Sequence, residues 1–345
     1  MMRAMRAESF TGYGALKLVE VPGPRPAAGR ILVRIKAAGV SPLDHTLLSG
    51  GYPPARPPLI LGNEGAGVVE APGDSSFPEG ARVMFTGPYG VSEDGTYGES
   101  IAVRREDLCL IPDNIDDATA AGMPVAYLTA QITLMQAGFA PGKIVLAPAI
   151  GGAVGNAVTQ LARAQGAGMA ISTTTSPAKA KQARALGFEH VIDLSAEDLA
   201  PGVARITGGR GVDVVIESVG GALTGQALAT LAFSGVLTTL GYPAGRKTTI
   251  DVTDLIWKRT SMSGFSLFAQ SHAVKAAAWA AILPLLASGA VKPIVERTYK
   301  LEESAEALRH LIEDRPFGRV IVAHSQRTLF VKSERENRHG PGTNE

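Results

Sequence analysis

A glycine-rich turn between an apolar run and a helical pattern constrains this chain more than any other stretch. Residues 147–167 read APAIGGAVGNAVTQLARAQGA, and the strand-like run KIVLAPA at 143–149 leads into them. The spacing Ala149-x-x-Gly152-x-x-Gly155 is a variant of G-x-G-x-x-G. A strand, a glycine turn and a helix in this order present free backbone N–H groups and a favourable helix dipole to a pyrophosphate. The sequence therefore predicts a dinucleotide site at the following residues: Gly151, Gly152, Ala153, Val154 and Gly155.

The rest of the middle region places this turn in a larger sheet. Five more apolar runs of strand length follow, and helical periodicity lies between the earlier pairs: 168–173, 190–194, 212–218, 235–241 and 261–267. Near-continuous apolar strands with helical crossovers are typical of a parallel, doubly wound sheet that is covered on both faces. We therefore expect an α/β fold with a Rossmann domain of six parallel strands at residues 124–267.

The two flanks of this region are β-rich. Residues 1–123 carry alternating and short apolar runs that are separated by many Gly and Pro turns. The last apolar runs, up to residue 323, resemble this first part more than the middle. We expect residues 268–324 to complete the N-terminal domain. Residues 325–345 are polar and contain Gly and Pro, which predicts a disordered tail.

Length, charge and cysteine content exclude several classes of protein. A chain of 345 residues fits about two domains, and its net charge of +1 favours neither a nucleic-acid partner nor a membrane partner. The one cysteine, Cys109, excludes an intrachain disulfide and a thiolate zinc cage. The N-terminal residues MMRAMRAESF lack the apolar region of a signal peptide, so a cytoplasmic location is expected.

The residues after the second predicted strand indicate which dinucleotide is bound. NAD sites place an acidic residue there for the ribose 2′-hydroxyl, but no acid occurs between Gly155 and Glu189. Hydroxyls and a cation occur instead, and they suit a 2′-phosphate. The alternative for the cation is a solvated helix face. The sequence predicts NADPH (NADP+), with four residues near its 2′-phosphate: Ser172, Thr173, Thr174 and Lys179.

Several stretches, in order from about residue 5 to 323, resemble the medium-chain dehydrogenase/reductase superfamily. Within it the chain is most similar to the zinc-independent quinone oxidoreductase (ζ-crystallin-like) branch. The stretches are AGVSPLDHTLLSGGYP (38–53), LGNEGAGVV (61–69), PGKIVLAPAIGGAVGNAVTQLARAQGA (141–167), GVDVVIESVGG (211–221) and LASGAVKPIVERTYKLEESAEALRHLIEDRPFGRVIV (286–322). The resemblance implies a GroES-like domain, an inserted Rossmann domain, a cleft between them and a homodimer.

The resemblance also bears on zinc. Zinc-dependent relatives carry a cysteine in the GVSPLD stretch and a histidine in GNEG, whereas this chain has Ser41 and Asn63. With one cysteine, the structural zinc site of those relatives cannot be built either. We therefore expect no metal.

Site residues follow by position within the matching motifs. The resemblance implies that Tyr52 lines the substrate cleft, and the alternative is a loop aromatic packed on prolines. Ser41, Asp44 and Asn63 form the rest of the predicted catalytic group, with Asp44 mainly structural or orienting. The resemblance implies further cofactor contacts at Thr129, Gly241, Tyr242, Phe265, Leu267 and Arg319.

The missing metal constrains the chemistry. Oxidation of a simple alcohol needs a Lewis acid to stabilise the alkoxide, whereas an activated acceptor needs less help. The sequence thus favours NADPH-dependent reduction of a small-molecule quinone or α,β-unsaturated carbonyl. Two alternatives stay open: an enoyl-thioester reductase of the same superfamily, and a cofactor-binding protein with little catalysis.

Overall fold

The structure is a computed structural model that describes residues 1–25, 27–71 and 77–324; the expected tail at 325–345 lies outside these ranges. The strands are β1 (Met2–Ala7), β2 (Leu16–Val21), β3 (Arg30–Gly39), β4 (Leu59–Ile60), β5 (Glu64–Ala71), β6 (Arg82–Thr86), β7 (Ser100–Arg104), β8 (Leu108–Leu110), β9 (Ile144–Ala147), β10 (Met169–Thr174), β11 (His190–Asp193), β12 (Val212–Glu217), β13 (Leu231–Thr239), β14 (Ser261–Gly264), β15 (Val295–Lys300) and β16 (Arg319–Ala323). The helices are α1 (Pro42–Leu48), α2 (Asp117–Ala121), α3 (Pro124–Gln136), α4 (Ala153–Ala164), α5 (Pro177–Ala185), α6 (Leu199–Thr207), α7 (Ala222–Ala229), α8 (Val252–Lys258), α9 (His272–Ala287) and α10 (Ser304–Arg309), and a π-helical turn (His310–Asp314) follows α10.

A seven-stranded sheet and a three-stranded sheet form the part of the fold that is built from both ends of the chain. Six strands of the larger sheet follow the order β15-β16-β3-β5-β6-β8, and β7 pairs with β3. β3 alternates buried and more exposed side chains over its first half, because a strand that covers a core on one face repeats every two residues. The smaller sheet, β2-β1-β4, packs its apolar side chains in one cluster with those of β16.

The C-terminal strand lies inside the N-terminal sheet. β16 pairs antiparallel with β3, with Ile321 opposite Gly39, and its other edge runs parallel to β15. The chain therefore leaves this GroES-like region before β9 and returns to it after β14. The predicted domain limits at residues 123, 267 and 324 stay predictions.

The remaining six strands form a parallel sheet in the order β11-β10-β9-β12-β13-β14. Every residue of β9 and β12 is buried, as strands covered by helices on both faces must be. This confirms the predicted α/β class and the six-stranded Rossmann sheet. The strand order reverses between β9 and β12, and ligands bind outside the carboxyl ends of the strands at such a point.

The last predicted strand of this region, at 261–267, is shorter than expected. β14 ends at Gly264 rather than at 267, although Phe265 still donates its N–H to the Thr239 carbonyl (2.9 Å). Leu267 begins a one-turn helix instead. α9, the longest helix of the described ranges, has 16 residues. No helix in the described part of the chain is long and apolar enough to cross a membrane.

Candidate active site

The glycine turn takes the conformation that a dinucleotide site requires. β9 ends at Ala147, and α4 begins at Ala153. A Cβ atom at Gly155 would lie 2.2 Å from the Pro148 carbonyl oxygen and 2.4 Å from that of Ala149. Only glycine therefore allows the first turn of α4 to pack this closely against the end of the strand. Ala149 itself has a φ of 66°, in the left-handed region, so the turn is tightly constrained.

The N-terminus of α4 is open to an anion. Gly152 occupies the N-cap position and supplies no side-chain oxygen, and no acidic residue lies in the first turn. The first N–H groups of a helix have no partner inside it, and the helix dipole adds partial positive charge at this end. The Gly155 packing and the uncapped helix together fit the pyrophosphate of a nicotinamide dinucleotide.

The hydroxyls of β10 stabilise the turn from the neighbouring strand. Ser172 is fully buried, and its hydroxyl donates to the Ala147 carbonyl. The Thr173 hydroxyl accepts from the Ala149 N–H (3.2 Å). Thr174, the last residue of β10, accepts from the N–H of Ser176 (3.2 Å), which caps α5. Of the three hydroxyls predicted near a 2′-phosphate, that of Ser172 is thus engaged with β9 and that of Thr173 with the glycine turn.

Lys179 lies beside a cation that sequence analysis missed. Its ammonium group donates to the Arg315 carbonyl oxygen, and Arg315 is exposed at the end of the π-helical turn. Burial, with a smaller contribution from the Arg315 charge, lowers the pKa of Lys179 below its usual range. The separation of 136 residues in sequence explains why no local pattern reveals Arg315. The Lys179 ammonium group therefore lies against the Arg315 backbone, near enough for the Arg315 charge to act on it.

The other predicted cofactor residues lie around the ends of β12, β13 and β14. A Cβ at Gly241 would be 2.3 Å from the Ser218 carbonyl oxygen, so the two loops touch there. Tyr242 is half exposed, and the Arg246 guanidinium lies 5.3 Å from its ring centroid. Phe265 and Leu267 pack against the apolar cluster that also contains the buried side chains of α3. α3 carries the buried Thr129.

Glu217 organises these loops, although sequence analysis did not select it. Its fully buried carboxylate accepts two backbone N–H groups through Oε1 and two hydroxyls through Oε2. The donors are Val219 N (2.5 Å), Gly220 N (2.8 Å), Thr224 Oγ1 (2.8 Å) and Thr239 Oγ1 (3.1 Å). One carboxylate thus holds the ends of β12 and β13 and the start of α7 together.

The predicted group Ser41, Asp44 and Asn63 is brought together at the N-terminus of α1. Ser41 and Asp44 cap the helix reciprocally, because the Ser41 N–H donates to Asp44 Oδ2 (2.8 Å). The Ser41 hydroxyl lies 3.0 Å from the same oxygen and 3.3 Å from Asn63 Oδ1. All three side chains are nearly inaccessible to solvent. The arrangement fixes one hydroxyl and one amide side by side.

Two more donors complete the environment of Asp44, and one of them was missed. Gly62 N donates to Oδ1 (3.1 Å), and the hydroxyl of the buried Tyr97 donates to Oδ2 (3.2 Å). Burial raises the pKa of the Asp44 carboxyl, and these donors and Ser41 oppose that rise. Burial and the Asp44 charge hold the pKa of Tyr97 well above its usual range, so its phenol keeps its proton.

Tyr52 lies at the other end of α1 from Ser41. It follows the helix by four residues, and its carbonyl accepts the Ala55 N–H (3.1 Å). Its half-buried ring packs against the apolar cluster that contains Leu47 and Leu48. Tyr52 thus lies just beyond the C-terminal end of α1, whereas the polar group lies at the N-terminal end of that helix.

Arg319 is buried in an ion pair. Its Nη2 donates to Oε1 of Glu64, and both side chains are almost fully buried. Glu64 Oε2 accepts the Val125 N–H at the start of α3 (2.8 Å). Burial raises the pKa of the Glu64 carboxyl, and the Arg319 charge opposes it. Arg319, predicted to contact the cofactor, is therefore engaged with Glu64 inside the protein.

Within residues 1–25, 27–71 and 77–324, no group of three or more His, Cys, Asp or Glu side chains is arranged to hold a metal ion. Cys109 is buried in β8, and burial raises the pKa of its thiol to about 12. The interactions that the structure shows in the polar group around Ser41 are hydrogen bonds.

A Rossmann sheet with an open glycine turn, joined to a GroES-like domain that carries a buried polar group, defines a two-domain oxidoreductase that binds a nicotinamide dinucleotide. Two family models match the chain: the alcohol dehydrogenase GroES-like domain at residues 27–113 and the zinc-binding dehydrogenase model at 153–287. The chain belongs to the medium-chain dehydrogenase/reductase superfamily, in its quinone oxidoreductase-like branch.

Known proteins similar to the chain over most of its length support this assignment. It is 32% identical to a quinone oxidoreductase of Pseudomonas aeruginosa, over 91% of this chain and 98% of that protein. It is 30% identical to a 2-haloacrylate reductase of a Burkholderia species, over 88% and 93% of the two chains. A mycobacterial protein solved in complex with NADPH is 29% identical, with a TM-score of 0.83 over 94% of this chain and all of that one.

Proposed function

We propose that the chain is a zinc-independent, NADPH-dependent oxidoreductase that reduces quinones or α,β-unsaturated carbonyls in the cleft between its domains. The observation that carries the proposal is the buried hydrogen-bonded group of Ser41, Asp44 and Asn63, in a protein that also carries a dinucleotide turn. An acceptor of this class takes hydride at carbon and spreads the negative charge to oxygen. A few fixed donors stabilise that charge.

The proposed cofactor is NADPH, which supplies the hydride when bound. The open N-terminus of α4 suits its pyrophosphate. Lys179 and Arg315 suit its 2′-phosphate, because the Lys179 ammonium lies against the backbone of Arg315, whose charge acts on it, and the sequence places no acid between Gly155 and Glu189. Relatives support the choice: a similar mycobacterial protein binds NADPH, and a similar Burkholderia protein reduces a haloacrylate.

The residues of the cleft have separate roles in the proposed reaction. The Asn63 amide donates to the acceptor's oxygen, and Asp44 fixes Ser41 beside it. As hydride reaches carbon, an electron pair moves to that oxygen. The Tyr52 phenol then gives the proton that completes the reduction. Tyr52 is only half buried, so it regains a proton from water.

The test is NADPH consumption by EDTA-treated protein with ortho-quinones, para-quinones and short enones, with NADH in parallel. We expect turnover with NADPH, little with NADH, and no effect of EDTA. Loss of activity with EDTA would contradict zinc independence, and a preference for NADH would contradict the 2′-phosphate assignment. Turnover only with enoyl thioesters would establish the thioester reductase, and tight NADPH binding without any turnover would establish the cofactor-binding protein.

We also propose that the chain forms a homodimer through β14 and works in the cytoplasm. β14 is an edge strand whose four residues are all exposed, and an unpaired edge is a template for another strand. Large apolar side chains are exposed on β14 and beside it: Val252, Ile256, Trp257, Met262 and Phe268. Light scattering should give twice the chain mass, and a Ser263→Pro substitution should yield monomer. A monomeric wild-type protein would contradict this assembly.

A further inference from the structure

One buried ion pair, Glu64 with Arg319, connects the strand that follows Asn63 to segments that carry predicted cofactor residues. Glu64 directly follows Asn63 at the start of β5. Its carboxylate holds Arg319 of β16 through Oε1 and the first turn of α3, at Val125 N (2.8 Å), through Oε2. Glu64 therefore links its own strand, β5, to two segments that lie far away in the sequence, β16 and α3.

Both partners of Glu64 lead to predicted cofactor residues. Gly318, next to Arg319, donates its N–H to the carbonyl oxygen of Gly151 in the glycine turn (3.0 Å). Val125 lies about one helical turn before Thr129 on α3. Hydrogen bonds thus connect the Glu64 carboxylate to the helix that carries Thr129 and, through Arg319 and Gly318, to the glycine turn.

The surrounding backbone is shaped to accommodate this pair. A Cβ at Gly39 would lie 2.6 Å from Glu64 Oε1, and a Cβ at Gly122 would lie 3.0 Å from Arg319 Nε. Yet Arg319 Nε and the nearby Tyr127 hydroxyl are buried and have no hydrogen-bond partner among the residues that the structure describes. A buried ion pair with unsatisfied neighbours contributes little net stability, and an apolar pair of similar volume often stabilises more. Stability alone is therefore a poor reason for this pair.

We propose that Glu64 and Arg319 are positioning residues that hold the glycine turn and α3 in place relative to Asn63. The role rests on the proposed function, because it serves hydride transfer between a cofactor on that turn and an acceptor at Asn63. Neither residue needs to touch cofactor or substrate. Glu64, beside the position where zinc-dependent relatives carry a histidine, here acts through an arginine and a backbone N–H.

The experiment compares Glu64→Gln, Arg319→Met and the double variant with wild type. Glutamine keeps an acceptor for Val125 N, and the double variant leaves no unpaired charge. Glu99→Gln is the matched control, because Glu99 forms an ion pair with Arg3 of β1 (2.9 Å), which belongs neither to the glycine turn nor to α3. The readouts are the melting temperature, the NADPH dissociation constant from fluorescence without substrate, and amide hydrogen exchange of peptides covering 124–129 and 147–155.

We expect each single variant to melt at a lower temperature and the double variant to recover. The double variant should still bind NADPH about 10-fold more weakly, because it removes a link in the network of contacts that fixes the glycine turn. Amide hydrogens in the two peptides of the double variant should exchange faster than in wild type. The Glu99→Gln control should leave the NADPH dissociation constant and the exchange rates unchanged.

Recovery of affinity and exchange together with stability would overturn the proposal and leave the pair a purely structural feature. If the double variant stays unstable, the test uses Glu64→Gln at a temperature well below its melting temperature. Unchanged amide exchange of the two peptides in that variant would contradict the positioning role. A wild-type protein that binds no NADPH would refute the proposed function, whereas the exchange comparison would still test the contact between segments.

Discussion

The hydroxyl of Tyr97 donates to Asp44 Oδ2 across 3.2 Å, although 53 residues separate them in the sequence. The bond links the loop before β7 to the N-terminus of α1, and it lies where no solvent reaches. Asp44 in turn holds Ser41. Tyr97 therefore supports the polar group from inside the protein.

Tyr97→Phe should lower the free energy of unfolding by about 1–3 kcal/mol, because a buried carboxylate loses one donor and stays desolvated. Urea unfolding at pH 7 measures the change. Tyr127→Phe is the matched control, since that buried hydroxyl has no partner in the described structure and its removal should cost almost nothing. Equal losses in the two variants would contradict a specific contribution from the Asp44 bond.

Gly155→Ala should abolish dinucleotide binding. The added Cβ would lie 2.2 Å from the Pro148 carbonyl oxygen, so the first turn of α4 must move away from the strand. We expect destabilisation of about 1–3 kcal/mol in addition. Fluorescence titration with NADPH and thermal unfolding check both effects. Gly14→Ala, where a Cβ meets nothing within 4 Å, should leave both values unchanged, and an NADPH affinity at Gly155→Ala equal to wild type would refute the turn assignment.

Replacing Lys179 and Arg315 by alanine should weaken NADPH binding without affecting NADH. Each charged hydrogen bond contributes about 1.5–3 kcal/mol, which corresponds to a loss of roughly 10- to 100-fold per residue. Calorimetric titration with both dinucleotides gives the ratio of the two affinities. Lys181→Ala is the control, because Lys181 is exposed on the same helix. A parallel loss of NADH affinity would show that the two cations do not select the 2′-phosphate.

Stability should fall as the pH rises above neutrality because of His310. Its ring nitrogens contact Asp314 (2.7 Å) and Glu296 (2.9 Å). Although burial opposes the charge, as does Arg297, hydrogen bonds to Asp314 and Glu296 raise the pKa of His310 above 6.5. A group whose pKa is raised in the folded state contributes stability that is fully present below the pKa of the unfolded state. This contribution is lost as the pH rises through the pKa of the folded state.

We therefore expect wild type to lose stability through this residue as the pH rises above 6.5 and passes the raised pKa of the folded state. His310→Gln should flatten that part of the profile and leave the remaining pH dependence intact. Urea unfolding at several pH values provides the comparison. An unchanged slope in His310→Gln would assign the dependence to other groups.

Local patterns were sufficient for the sheet and for the glycine turn. The turn is defined by neighbours in sequence, and the apolar strands around it are buried on both faces, so periodicity and spacing carry the information. Ser41, Asp44 and Asn63 were also selected from the sequence, and two of them belong to one capping box. The end of β14 was misplaced, because its exposed sequence SMSG gives no burial pattern.

Residues whose role depends on distant partners were beyond sequence reasoning. Arg315 meets Lys179 across 136 residues, and Arg319 meets Glu64 across 255. The pattern of hydroxyls after Gly155 indicated a phosphate site, but it could not show that Ser172 points into the sheet. Glu217 lies in a predicted strand, and only the folded loops reveal that four donors surround it.

The place of β16 has a consequence for how a ribosome can make this protein. Before the last strand is synthesised, β7 can pair with β3 over residues 30–34, but the end of β3 at residues 37–39 has no partner on the edge that β16 occupies in the finished sheet. The Rossmann region has all its strands earlier and can fold first as an insert. The nascent first domain must therefore keep an exposed strand edge, a known route to aggregation, until residue 323 has left the exit tunnel. A chain truncated before Arg319 would lack that strand permanently.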